Sequence, residues 1–566
     1  MLKTDLKGLK DFNEIIKETN LKKLIYLSVF LFIGVLVESF GLGALYPIFN
    51  FLLNENSTVF LNVEFNSKSN VILFSLFLIG LIYLIKTLYL TILTVKQNKF
   101  VSSITEMISN EIFSGYIYNP YSFHLKNNSS ELVKNIQVEL SNFTAYLSSV
   151  IFVVSDFILL VAILGTLIYI NPLGTILLVT YLLIASWIFL FITKKKLDVW
   201  GVERLKIDKN LALTLTESLK GIKDVKVSRL ETLFIKKYRL DNLKKFDYYW
   251  KQLTLGQIPR LYLELICIFG FIFFIISTLS ENQSINSILP LASVYLAAFF
   301  RTLPSINRIL SSYQQMRYYL PSVELIKKEI NYNRLGREKQ ITIDSFNKGI
   351  SLKNITFKYD KKNIFKNFNL ELNKGKIYGI KGESGTGKTT LAAIILGLLK
   401  PNNGSIYIDN KKVIGFKWSK ILSYVSQNIF LFDGSVIQNI CLGIDQSKIK
   451  IEKINEVLKK TNLYDFVYSF EDNINHSLGE NGVNLSGGQA QRLAIARALY
   501  NKPKILILDE VTSALDKENE RKVLETIKQL GKEITCIIIS HKDDTTKICD
   551  EIINLKPNKK LDNYVN

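Results

Sequence analysis

Gly382-Glu383-Ser384-Gly385-Thr386-Gly387-Lys388-Thr389 has the residue types and spacing of a phosphate cradle, G-x-x-x-x-G-K-[ST]. Glycines let backbone N–H groups reach phosphate oxygens with no Cβ in the way. Lys388 supplies a point charge for terminal phosphates, and the Thr389 hydroxyl can ligate Mg²⁺. The apolar run Lys376–Ile380 precedes the loop, and Thr390 opens Thr390–Leu396 after it. Strand, loop, helix is the context the chemistry needs, because a helix N-terminus turns its positive end toward the anion. The plain alternative is a glycine-rich turn before a helix.

A second constellation lies downstream. Ile505-Leu506-Ile507-Leu508-Asp509-Glu510 reads as a buried strand ending in two carboxylates. Ligands sit at such strand ends in parallel α/β sheets. Asp509 suits a Mg²⁺ shell, and Glu510 can orient a water and accept its proton, which makes phosphoryl transfer to water feasible. Leu485-Ser486-Gly487-Gly488-Gln489 opens a further helix, Gln491–Tyr500. Its small residues suit an anion site, while Ser486 alone could be an ordinary N-cap; the spacing does not choose between them.

These elements occupy the second part of a chain of 566 residues, 48% hydrophobic with 35 Phe, yet 21% charged. That mixture suggests an apolar half joined to a polar one. Six apolar stretches are long enough to span a bilayer: Leu24–Leu53, Val71–Val95, Tyr146–Ile170, Thr175–Thr193, Leu255–Leu279 and Ile288–Tyr319. Between them, Lys96–Asn142 and Lys194–Gln252 are long, basic and helical in period. Asn54–Asn70, Asn171–Gly174 and Ser280–Ser287 are short and hold few basic residues. The net charge of +21 therefore reads as positive-inside topology, with both termini cytoplasmic, rather than as a nucleic-acid surface. Tyr118–His124 and Gly221–Val227, marked by proline and glycine, read as short elements where overshooting helices turn back. The four cysteines show neither disulfide nor ligand spacing. His124 and His476 read as surface residues, and Asn56-Ser57-Thr58 as a chance glycosylation match.

The expected architecture is an all-α six-helix membrane domain followed by an α/β P-loop nucleotide-binding domain with a helical subdomain. Its expected boundaries are 1–23 for an interfacial or simply packed N-terminal helix, 24–320 for the membrane domain, 321–348 for a linker and 349–566 for the nucleotide domain.

The set of phosphate loop, Leu485–Gln489, Asp509-Glu510, Ser513-Ala514-Leu515-Asp516 and His541 resembles the ATP-binding cassette family. Six spans before one cassette resemble an exporter half-transporter, so the likeness covers the whole chain. The resemblance implies ATP and Mg²⁺ as cofactors, and a dimer in which Ser486, Gly487, Gly488 and Gln489 of one copy close on the ATP of the other. It also implies Tyr359 against adenine, and Gln427 on Mg²⁺ and the water. His541 would hold the γ-phosphate, with Ser513 to Asp516 linking the two sites. Val511 stands where the family commonly has Ala.

Glu38, Lys86, Asp156, Arg260, Glu264 and Arg301 are ionisable residues inside spans, where an unpaired charge is costly. Lys86, Arg260 and Arg301 could line a cavity for an anionic cargo; ion pairing, such as Arg260 with Glu264 at i, i+4, is the competing explanation. Val37–Phe40, Pro259–Glu264 and Arg301–Ile309 resemble segments of bacterial flippases for lipid-linked oligosaccharides. That resemblance implies a cargo with a pyrophosphate head, a glycan and a polyprenyl tail. The expected machine is a homodimeric inner-membrane exporter of such a cargo, or of a peptide, lipid or drug; a membrane ATPase that gates or senses without transport is the rival class.

Overall fold

The computed structural model describes residues 21–43, 59–60, 63–64, 68–170, 172–280, 285–335, 340–360, 362–479, 482–511, 517–530, 534–540 and 547–556. Two compact units divide the chain. One comprises Met1–Asn119 with His124–Arg337, and the other Pro120–Phe123 with Glu338–Asn566.

The first unit is helical. Its long helices are α1 (Leu21–Gly43), α2 (Lys68–Tyr118), α5 (Leu140–Ile170), α6 (Pro172–Lys220), α8 (Glu231–Ser280) and α9 (Ile285–Leu335). Between them lie α3 (Tyr121–Lys126), whose first three residues are counted with the second unit, α4 (Ser129–Lys134) and α7 (Ile222–Val227). The six helices fall where the six apolar stretches do. Among the described residues, Leu76–Tyr118, Ser129–Gly165 and Glu231–Gly270 are long and apolar enough to cross a membrane. Their outward faces carry exposed Leu, Ile and Phe such as Leu76, Phe77 and Phe157, as a lipid-facing surface requires. Pro172 is the first residue of α6, where its missing N–H costs nothing.

The basic stretches are helical extensions of the spans, with their own apolar seam. Ile104, Ile108 and Ile112 recur every fourth residue on α2 and are fully buried, as are Phe143, Leu197, Val323 and Ile326 on the other helices. A Cβ on Gly201 would stand 2.4 Å from the Tyr318 carbonyl oxygen, so glycine sets the close approach of α6 to α9. The short elements at 118–124 and 221–227 appear as α3 and α7.

A buried charge network crosses this unit. Glu139 is fully enclosed; it lies 3.2 Å from Lys134 and 3.6 Å from Arg204, and accepts from the Ser322 hydroxyl at 2.7 Å. Arg204 also donates to Ser322, pairs with Asp208 at 3.6 Å and lies over the Tyr318 and Tyr319 rings; Lys245 meets Asp208 at 2.7 Å. Residues Asn135–Glu139 form a π-helical turn joining α4 to α5. Lys134 and Glu139 are five apart. In a regular α-helix that spacing faces different ways, whereas i→i+5 is the repeat of a π turn.

The second unit is α/β. Its central parallel sheet runs in the order β8 (Leu422–Val425), β9 (Ile505–Asp509), β10 (Thr535–Ile539), β4 (Ile377–Gly382), β11 (Glu551–Leu555). Alternate residues serve opposite faces. Ile505 and Ile507 join one core with Leu391 and Ile394, while Leu506 and Leu508 join another with Leu493 and Leu458. A strand buried on both faces reads as an unbroken apolar run. A four-stranded antiparallel sheet, β3 (Lys362–Asn373), β2 (Gly349–Tyr359), β5 (Asn403–Ile408), β6 (Lys411–Val413), packs beside the first core. Helices α11 (Val436–Ile440), α12 (Ile451–Lys460), α13 (Tyr464–Tyr468) and α14 (Gly487–Tyr500) make the helical part.

Two expected boundaries move. Residues 321–335, assigned to a linker, continue α9 through Pro321 to Leu335, with Val323, Ile326 and Ile330 buried at helical spacing. Residues 341–343, also assigned to the linker, form β1 (Ile341–Ile343), parallel to β7 (Phe416–Trp418), and Phe346 is fully buried in the α/β core. Charge on the outward positions masks both patterns in the sequence. The N-terminal helix expected at 1–23 lies outside the described residues except for its last three, which begin α1.

Candidate nucleotide site

The phosphate loop leaves the end of β4 and enters α10 (Lys388–Ile395). Gly387 caps α10 at φ +96°, and a Cβ there would strike Ile364 at 2.5 Å, so both backbone and space require glycine. Thr386 folds its hydroxyl onto the Glu383 carbonyl at 2.9 Å. The Lys388 ammonium is buried and donates to the carbonyls of Gly382 at 2.9 Å and Glu383 at 3.0 Å. Burial lowers its pKa, and Glu510 and Asp509 act in the opposite sense. A cation held by neutral carbonyls inside the fold gains most from an anion placed in the same loop. Ser384 and Gly385 are exposed at the tip, and Thr390 is buried at the base of the helix.

The two carboxylates come off β9. Asp509 is buried at 2% exposure; its pKa is raised first by burial and then by its neighbour Glu510. Hydroxyls of Tyr424 (3.4 Å) and Thr389 hydrogen-bond to it. Glu510 sits in the left-handed region, φ +51°, where a non-glycine residue is strained, and its N–H is pinned to the Ile539 carbonyl at 2.9 Å. The Gln427 amide donates to the Glu510 carboxylate. The strands thus gather Lys388, Thr389, Gln427, Asp509 and Glu510, which are far apart in sequence.

This donor set fits a hard divalent cation. Thr389, Gln427 and Asp509 offer oxygen, the ligand type Mg²⁺ prefers. A cation beside Asp509 would relieve both the burial of its charge and the repulsion from Glu510. Bound Mg²⁺ would neutralise phosphate charge.

Tyr359 ends β2, is 40% exposed and stands edge-on to Phe357 with ring centroids 4.9 Å apart. An exposed aromatic face is available for a base. Ser486 caps α14 through a capping box: its hydroxyl accepts from Gln489 N–H at 3.3 Å, and the Gln489 side chain accepts from Ser486 N–H at 2.8 Å. The ordinary-cap reading is therefore realised, with Gly487 and Gly488 in the first turn. His541 and residues 512–516, including Asp516, lie outside the described residues.

In the helical unit, Lys86 is buried with its ammonium over the Tyr83 ring at 4.8 Å. Arg260 pairs with Glu264 at 2.9 Å, the i, i+4 alternative, and its side chain is 69% exposed. Asp156 lies 3.4 Å from Arg308. The side chains of Arg301 and Glu38 lie outside the described residues.

Sequence reasoning missed Tyr424, which is legible only from strand register. It also missed Asn439 and Arg497. Fully buried Asn439 is bonded to Phe432 by both its amide groups, and Arg497 donates to Asn439 and to the Phe430 carbonyl. Together they fix the segment after Gln427, and no motif marks them.

A triphosphate cradle with a strand-end acid pair, in a chain whose other unit is apolar helices, defines a membrane-associated nucleoside-triphosphatase fold. More particularly, residues 365–513 match the family described as ABC transporter, so the second unit is an ABC transporter ATPase domain. The fold of the whole is that of an ABC exporter. A solved bacterial Atm1-family ABC exporter with ATP bound aligns with a TM-score of 0.76 at 20% identity, covering 94% of each chain. Among curated proteins, the ATP-dependent lipid A-core flippase of Francisella tularensis subsp. tularensis is 28% identical over 360 residues, 61% of this chain and 58% of that protein. The alpha-hemolysin translocation ATP-binding protein HlyB of Proteus vulgaris is 37% identical over 251 residues, 44% of this chain and 35% of that one. The chain thus spans 58% or less of the length of these curated relatives.

Proposed function

We propose that this chain is one half of a homodimeric ATP-hydrolysing exporter or flippase of the bacterial inner membrane, with both termini and the ATP-binding domain cytoplasmic. Its cargo is an amphiphilic anion of the lipid-linked oligosaccharide class. The observation that carries the reading is the gathering of Lys388, Thr389, Gln427, Asp509 and Glu510 at the strand ends of a unit that accompanies apolar helices.

In this reading Tyr359 stacks on adenine, and Gly382 to Thr390 hold the phosphates. Thr389, Gln427 and Asp509 hold Mg²⁺, and Glu510 takes the proton of the attacking water. His541 contacts the γ-phosphate. Ser486 to Gln489 of each copy close on the other copy's nucleotide, and Asp516 lies near that junction. Segments 118–124 and 221–227 pass the closure to the spans. Lys86, Arg260 and Arg301 are the cavity candidates; for Arg260 the Glu264 pair must open first.

The cargo class is favoured by the flippase relative, a protein named for a glycolipid, whose alignment is longer than the ATPase domain alone and so reaches into the helices. The hemolysin relative supports a second reading, export of a polypeptide. Reconstitution in liposomes separates them. Lipid-linked glycan should stimulate ATPase activity and cross the bilayer; movement of a peptide but not of the glycan would reverse the assignment. Sustained turnover with no net movement of any cargo would favour a gating or sensing ATPase.

A further inference from the structure

Two donors at the exit of one strand hold the two acids of the site. On β8, Tyr424 donates to Asp509 at 3.4 Å; three residues on, Gln427 donates to Glu510. Strand register explains the first contact. Tyr424 is opposite Ile507 in the parallel pair β8–β9. Ile507 and Asp509 share a face, because side chains alternate with period two. A side chain at 424 therefore rises along the face that Asp509 occupies, and a phenol is long enough to reach the carboxylate two residues up the neighbouring strand. Phenylalanine would pack there equally well but would offer no O–H. Thr389 is a second neutral donor to Asp509.

Tyr424 is also accessible, at 36% exposure, unlike its β8 neighbour Val425.

We propose that Tyr424 is a positioning residue: its hydroxyl fixes the rotamer of Asp509 so that the other carboxylate lone pairs face the metal position. The inference rests on the reading of Asp509 as a Mg²⁺ ligand.

The test uses full-length protein carrying Glu510→Gln, with Mn²⁺ as a spin probe and ATP present, read by electron paramagnetic resonance. One neutral hydrogen bond is worth about 1 kcal/mol, or about fivefold in affinity. Tyr424→Phe should weaken Mn²⁺ binding about fivefold, and Tyr424→Leu at least as much, with ATP affinity in EDTA unchanged. Wild-type Mn²⁺ affinity in Tyr424→Phe, with loss only in Tyr424→Leu, would reduce Tyr424 to packing and overturn the proposal. Asp509→Asn distinguishes the premise: if it leaves Mn²⁺ binding intact, the ligand reading itself fails.

Discussion

Glu139 in the helical unit and Lys388 in the ATPase domain are both charged and both buried, but they are served differently. Glu139 has two cations and a hydroxyl around it, and its partner Arg204 has further partners of its own. Lys388 rests on two backbone carbonyls, and Asp509, at the same strand ends, is held by hydroxyls. In one region opposite charges are matched within the fold. In the other, charges of both signs are kept at hand with neutral contacts, which a ligand can replace at small cost. Burial with mutual pairing marks architecture; burial with neutral partners marks chemistry.

The comparison can be broken at several points. The largest effect expected is that of Glu510→Gln, which should retain ATP binding while hydrolysis falls at least a hundredfold, on the order of 3 kcal/mol or more in the barrier. Unchanged turnover would show that Glu510 is not the base. Next, Glu139→Ala should lower the stability of the detergent-solubilised protein by about 3 kcal/mol, because it takes an anion from buried Lys134 and leaves buried Arg204 with the Asp208 pair alone to offset its charge. Thermal unfolding measures this, and ATP affinity should not follow. A drop in ATP affinity as large as the drop in stability would erase the distinction between the two regions. Ser486→Ala should cost about 1 kcal/mol through its lost cap, and a larger loss of turnover than of stability would assign it a ligand role as well. The smallest effect belongs to the exposed pair: Arg260→Ala should change unfolding by less than about 0.5 kcal/mol. If Arg260 faces cargo, cargo-stimulated turnover should fall more than basal turnover; an equal fall in both would leave only the pairing with Glu264.

Much of this was legible in the sequence for a physical reason. Six helices were readable because a bilayer demands long apolar runs. β9 was readable because a strand covered on both faces cannot alternate, so Ile505–Leu508 stands out. The phosphate loop was readable because its glycines answer to geometry that other residues cannot adopt, Gly387 above all. Tyr424, Asn439 and Arg497 were not legible, since their roles depend on which strand or loop lies alongside. The edge strand Ile341–Ile343 and the helical run to Leu335 were obscured by the lysines, glutamates and arginines that face outward around them. For Ser486, spacing left cap and anion site equally open, and the structure shows the cap without removing the other role.

The π turn at Asn135–Glu139 makes chain length, and not only residue identity, a determinant of the helical unit. One residue more than a regular helix would hold rotates α4 against α5 by about 100°. Removing a single residue between 135 and 139 would restore the regular winding and carry Lys134 to another side of the helix, although every charge in the network would still be encoded. The segment would then behave like a mis-set gear, with all its teeth present and none in mesh.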